Sequence, residues 1–169
     1  KAMNYFWDLL ENVPGVRAHR VPENSDSNMA GWYAARGHYR PDELGGLSVT
    51  RFVEAVRAEG VDECSPGCNA ALHTHALFNT CDVYGHGKPT RIANSAQDVR
   101  LLDNDLVVSE KIGTLTYAIP WFKHYRPELI EQHAEAFRKV SENYKELLED
   151  DPGNPPRLGG WHFFKHTKK

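Results

Sequence analysis

The chain has 169 residues, 40% of them apolar and 25% charged, with a formal net charge of −3 and a pI near 6.3. That size accommodates one domain with a real hydrophobic core. The charge balance advertises neither a nucleic-acid nor a membrane partner, and no apolar run approaches the ~20 residues of a membrane span. Asp8 interrupts the first apolar stretch and no small-residue cleavage site follows it, so this segment does not read as a signal peptide. Three cysteines are an odd number, which argues against a closed disulfide framework and for a reducing, cytoplasmic setting. The chain opens on Lys1 rather than Met, and directly on a helical pattern, which reads as an edge cut from a longer polypeptide.

In that first pattern, Met3, Phe6, Trp7 and Leu10 recur at spacings of three and four, one apolar stripe on a helix. Pro14 and Gly15 end it. Val16 to Val21 alternates apolar and polar, as a half-buried strand does. Residues 22–28 form a polar loop, Trp32 to Tyr39 reads as a second strand, and 41–46 is a turn-rich link. Ser48 stands where a helix N-cap belongs. Val49, Phe52, Val53 and Val56 follow at helical spacing, and Gly60 suits the C′ position. After a turn-like stretch over 61–69, Ala70 to Phe78 is expected to be extended, with His73 and His75 on one face because side chains two apart in a strand share a face.

Residues 81–96 form a loop around Gly85, His86, Gly87 and Lys88. Pro89 makes that run a turn rather than a phosphate cradle. Leu106 to Lys111 starts a short helix. Thr114 to Ile119 is β-branched and apolar, hence a strand, which Pro120 stops. Pro127 fits the N1 position of the longest helix. Its stripe is Ile130, Ala134, Phe137, Val140, Tyr144 and Leu147, and Glu128 and Glu131 lie near the positive end of its dipole. The acidic and Pro-rich run over 150–156 ends the helix, and Trp161, Phe163 and Phe164 stand in the tail as packing anchors. The pattern is α+β: a small, largely antiparallel sheet flanked by helices, over residues 1–149, followed by a tail over 150–169.

Several of these stretches together resemble the small carboxy-terminal domain of the DegT/DnrJ/StrS family of pyridoxal-phosphate (PLP) sugar aminotransferases. The short acidic helix around Glu110, the strand ending at Pro120 and the long helix opening at Pro127 match that domain in order and spacing. Upstream, Ala71 to Phe78 is similar to the family's extended segment Pro-Leu-His-x-x-Pro-hydrophobic-aromatic, with Ala71 and Ala76 in place of the prolines. The resemblance covers residues 1–148. It implies fold type I, a homodimer, and amino transfer from an amino acid onto a keto-sugar or keto-cyclitol. It also implies a large PLP-binding domain elsewhere in the full-length enzyme, which would carry the Schiff-base lysine.

Nothing in the chain replaces that domain. None of its nine lysines stands in the context of the family's catalytic lysine, no aspartate is set to pair the pyridinium nitrogen, and no Gly-rich loop opens a helix. The chain alone is therefore expected to bind no cofactor and to hold no catalytic residue. It would instead shape the substrate side of the site for an amino sugar or cyclitol.

The candidate contacts are His73 and His75, which the resemblance carries toward the active-site mouth, and Lys123 and His124. The latter two lie in a run of aromatic and cationic residues from Trp121 to Arg126, suited to an anionic group or a partner surface. Arg40 is a fifth, within a polar and aromatic cluster of Arg36, His38, Tyr39 and Arg40. A severed small domain is expected to meet either its missing large domain or a second copy of itself through an apolar face that includes the first helix. Two other classes remain: a stand-alone binding module without catalysis, and a metal-binding domain using Cys64, Cys68, His73, His75 and Cys81. Of that set only Cys64 and Cys68 have the close spacing of a zinc knuckle.

Overall fold

The computed structural model describes residues 1–29, 31–89, 92, 94–98 and 105–156. The chain divides into two units, one of residues 1–68 with 114–155 and the other of residues 69–113 with 156–169. In the first unit the helices are α1 (Ala2–Leu9), α2 (Val49–Ala58) and α5 (Pro127–Glu142), and the strands are β1 (Val16–Ala18), β2 (Arg36–Tyr39), β3 (Ser65–Pro66) and β4 (Thr116–Ala118). In the second the helices are α3 (Ala76–Asn79) and α4 (Val107–Lys111). No helix among the described residues is long and apolar enough to cross a membrane.

The sheet has strand order β1-β2-β4-β3, and every pairing is antiparallel. Val16 pairs with Tyr39, and Gly37 and Pro66 flank Tyr117 from either side. Alternation then sends Val16, Gly37, Tyr39 and Tyr117 to the helix-covered face. All four are buried. Against them, Phe52 of α2 lies 5.1 Å from the Tyr39 ring and 6.1 Å from that of Tyr117. Phe137 of α5 lies 5.6 Å from both Tyr117 and Phe6. The fold is thus α+β, a small antiparallel sheet with helices, as the sequence pattern predicts.

The stripe of α1 is used up in this core: Met3, Phe6, Trp7 and Leu10 are all buried. Self-association through that stripe would have to unpack the unit. Large apolar side chains left in solvent lie elsewhere in this unit, among them Tyr33, Trp121, Tyr125 and Leu129.

Local chemistry sets the helix ends. Ser48 caps α2, its Oγ accepting from Arg51 N–H at 3.1 Å. Gly60 follows the C-cap at φ +97°, a conformation that favours glycine. Pro127 opens α5 at N1. The stripe expected to run to Leu147 changes pitch, because α5 stops at Glu142 and Tyr144–Leu147 is a 3₁₀ turn.

The first part of the expected tail belongs to the body. Asp151 accepts hydrogen bonds from Ser48 N–H at 2.7 Å, Ser48 Oγ–H at 2.5 Å and Gly153 N–H at 2.9 Å. Asn154 Oδ1 accepts from Thr50 N–H and Oγ–H. The expected anchors Trp161, Phe163 and Phe164 lie outside the described residues.

Two expectations are corrected. The segment over Ala70–Phe78 is not extended: Leu72–Thr74 is a 3₁₀ turn and Ala76–Asn79 is helical. Its polar side chains bond locally, Thr74 Oγ–H to Ala71 O at 2.8 Å and Leu77 N–H to His75 Nδ1 at 3.0 Å. Such bonds supply the backbone with partners that a strand would need from a neighbour. The stretch over 61–69, read as turn only, contains β3, whose Ser65 and Pro66 pair with Ala118 and Tyr117. Beside it, Gly67 N–H donates to Thr116 O at 2.6 Å.

Two variants test this packing. An added Cβ at Gly37 would stand 2.4 Å from Tyr117 Cζ and 2.8 Å from the Trp7 ring. Gly37→Ala should therefore cost about 1–3 kcal/mol of overpacking, read as a lowered denaturation midpoint. For Asp151, burial alone would raise the carboxyl pKa, but the bonds from Ser48 and Gly153 outweigh it and hold the group below its ordinary value. The stability it contributes is present above the unfolded pKa of about 4 and is lost as pH falls through the lower, folded value. Asp151→Asn should cost on the order of 1 kcal/mol at pH 7, as a lost helix cap does. The gap from the parent should narrow in melts below pH 4; a gap independent of pH would refute the charged cap.

Candidate functional site

In the second unit His73 is buried at 6% exposure. Its Nε2 lies 2.8 Å from Glu110 Oε1. Glu110, on α4, also accepts from Leu106 N–H at the start of that helix, and Asn79 Nδ2–H donates to the His73 carbonyl. These bonds hold the 3₁₀ turn, α3 and α4 around an apolar cavity of about 400 Å³ lined by Leu72, His73, Phe78 and Leu106. His75 does different work. Its Nδ1 caps α3, which leaves the ring proton on Nε2, a buried atom with no hydrogen-bond partner. Its ring meets Phe78 edge-on at 6.2 Å. The two histidines are both held in place, but not as neighbours on one strand face.

In the first unit the loop from β4 to α5 is anchored by its aromatics. Phe122 packs 5.3 Å from Phe6 and 5.7 Å from the His133 ring. Tyr125 meets Tyr5 edge-on at 5.6 Å and carries the Lys1 ammonium 4.1 Å over its ring. Lys123 and His124, between these anchors, are left exposed. A groove of about 500 Å³ opens beside the loop, lined by Arg20, Met29, Trp32, Trp121 and Phe122, and neither Lys123 nor His124 lines it.

Arg40 is exposed at the end of β2. Its backbone N–H donates to Gly15 O at 3.0 Å. His38 is exposed next to it, its ring 5.2 Å from that of His19. Partial burial, then the neighbouring His19 and Arg40, hold the pKa of His38 below its ordinary value. Tyr39, expected in this polar cluster, points the other way into the core, its hydroxyl donating to Leu47 O at 2.9 Å. His19 and Arg17 went unnoticed in the sequence. The signal available was alternation: 17 and 19 on one strand and 36, 38 and 40 on the next are all basic.

The described residues fit neither a metal centre nor a Schiff base to PLP. Among the described residues no three His, Cys, Asp or Glu side chains gather as a metal site requires. Burial pushes the Cys64 thiol up to about 12, away from the thiolate that zinc or redox chemistry uses. A lysine that condenses with a carbonyl cofactor at neutral pH is desolvated or set beside another cation. All six described lysines, at positions 1, 88, 111, 123, 139 and 145, are exposed, and Lys139 is paired with Glu59. They do not fit the role. At Gly85–Lys88 the backbone folds onto an aspartate, since Asp82 accepts from His86 and Gly87 N–H. That geometry is a turn closed by a carboxylate, not an anion cradle.

These elements define a class of fold: a four-stranded antiparallel α+β unit, with short helices and turns among the described residues of the second unit. No family model matches the chain, and no curated protein matches it. Among solved structures, DesI, determined in the presence of its TDP-sugar product, is similar at a TM-score of 0.53 and 16% sequence identity. The match covers 88% of this chain and 32% of that of DesI, so the chain spans about a third of that protein's length. Likeness at this identity is likeness of fold.

The His73–Glu110 contact is testable in the second unit. His73→Ala removes one partner of a carboxylate and should cost about 1–3 kcal/mol locally. Amide exchange over residues 106–111 should accelerate roughly tenfold or more. Unchanged protection there would mean that the bond does not hold α4.

Proposed function

We propose that this chain is the small domain of a PLP-dependent sugar aminotransferase of the DegT/DnrJ/StrS type, shaping the substrate side of an active site completed by a large PLP-binding domain. The observation that carries the reading is the fold shared with DesI, a TDP-sugar aminotransferase, over most of this chain and about a third of that one. The order of motifs, from the histidine-bearing segment through the Pro-ended strand to the long helix, supports it independently. In the complete enzyme PLP would supply the electron sink for amino transfer, and its catalytic lysine would come from the large domain.

The residues of this chain bind and orient. His73, which lines the cavity while held by Glu110, and His75, whose Nε2 is unpartnered, would face the sugar, while Lys123 and Arg40 would offer positive charge and His124 a ring nitrogen to an anionic part of the substrate or of the amino donor. Cytoplasmic residence and dimerisation belong to the same reading. A binding module without chemistry of its own is the other use of such a fold, and one assay separates the two.

That assay is amino transfer by the polypeptide that joins this chain to a PLP-binding domain, with glutamate or glutamine as donor and a TDP-linked keto-sugar as acceptor. The joined protein should form the amino sugar, and the chain alone should form none. Replacing His75 or Lys123 with Gln in the joined protein should raise KM for the keto-sugar severalfold with little change in kcat, as lost ground-state binding does. Failure of the joined, PLP-loaded protein to aminate any keto-sugar would favour the binding module, and turnover by the chain alone would overturn the division of labour.

A further inference from the structure

The β1–β2 ribbon has two faces of opposite character. One buries Val16, Gly37 and Tyr39. The other carries Arg17, His19, Arg36, His38 and Arg40, five basic side chains on alternate positions of two paired strands or their immediate continuations. Register sets Arg17 directly opposite His38, and the 5.2 Å between the His19 and His38 rings confirms that they share a side. Arg17, His19, His38 and Arg40 are exposed and Arg36 is half-buried.

Among the described residues, Arg17 is the one cation of this face that meets a carboxylate. Glu43 answers Arg17, and its other oxygen is taken by Gly15 N–H. Arg36 donates to the Gly67 carbonyl, a neutral partner. Neither Arg36 nor Arg40 has a carboxylate partner among the described residues, in a chain whose net charge is −3. The guanidinium charges of Arg36 and Arg40 therefore stand without a carboxylate beside them, and an anion bound on this face would meet that charge. Trp32 stands edge-on to His19 at 6.5 Å, a flat apolar border at one end of the ribbon.

We propose that the solvent face of the β1–β2 ribbon is a binding site for a phosphoryl group, held by His19, His38 and Arg40 and flanked by Arg17 and Arg36. A phosphoryl group brings more than one negative charge and oxygens in several directions. Two imidazoles 5.2 Å apart on different strands, with a guanidinium two residues along the same face, match that better than they match a planar carboxylate, which a single Arg fork satisfies. The site does not rest on the amino-transfer reading, although Arg40 is common to both. Its ligand is free phosphate or diphosphate, or the phosphoryl end of a larger small molecule.

The test is a titration of the full chain with inorganic pyrophosphate at low ionic strength, followed by the ring proton resonances of His19 and His38. Both should shift saturably with a Kd below ~1 mM. Arg40→Gln should weaken binding about tenfold, as loss of a charge-assisted bond does, and His38→Asn severalfold, as loss of an imidazole N–H donor does. Lys145→Gln should leave binding unchanged, with amide spectra verifying that every variant is folded. A TDP arm that binds more tightly than pyrophosphate points to the phosphoryl end of a larger molecule, and equal affinity points to the free anion. No saturation by ~10 mM, variants that bind like the parent, or glutamate binding more tightly than pyrophosphate would each overturn the proposal.

Discussion

The structure depends on one close approach, that of the Tyr117 ring to the backbone of Gly37. The ring occupies the space that a side chain at position 37 would fill. This lets the middle of the sheet lie flush beneath an aromatic cluster contributed by every long helix of the unit. Phe52 from α2, Phe137 from α5 and Trp7 from α1 all close on it. β4 carries Tyr117 between β2 and β3, so the same residue fixes the strand order on one side and the helix layer on the other. Interiors this close-packed respond to single atoms, which is why a glycine in a strand, usually a weakness, is a structural requirement here.

The ribbon owes its two faces to this arrangement. Because the buried face takes the apolar residues of each strand, the period of two leaves every charged one on the far side. Position along the chain thus becomes position in an electric field. The segment holding His73 works by a different principle: Thr74 and the Leu77 N–H find partners within a few residues, and His73 reaches Glu110. Polar groups there are ordered by bonds, whereas on the ribbon they are ordered by register.

Features that depend on a few adjacent residues were legible in the sequence. Ser48, Gly60 and Pro127 announce helix ends because capping is local chemistry, and the stripes of α1, α2 and α5 announce the core because helical periodicity survives without knowledge of the partner. The histidine segment misled because a run such as 70–78 fits either period, and the tie was broken by side-chain bonds from Thr74 and His75 that act only once the turn has formed. β3 escaped notice because two residues, one a proline, carry no strand pattern. The basic face is only half written in the sequence: each strand alternates basic residues, but His19 and His38 become neighbours only through the register of β1 on β2. The exposed pair Lys123 and His124 was recognisable as polar residues among aromatics, but which of the aromatics pack, Phe122 and Tyr125, is a tertiary fact.

The bond from Gly67 to Thr116 has a consequence for how such a chain varies over evolutionary time. The polypeptide leaves the first unit just after β3 and re-enters it just before β4, and these two strands are hydrogen-bonded neighbours. Exit and entry therefore lie on two paired strands of the first unit. The entropy of closing a loop rises only with the logarithm of its length. The intervening segment is accordingly free to lengthen, shrink or be exchanged for another recognition element while the sheet beneath keeps its registration.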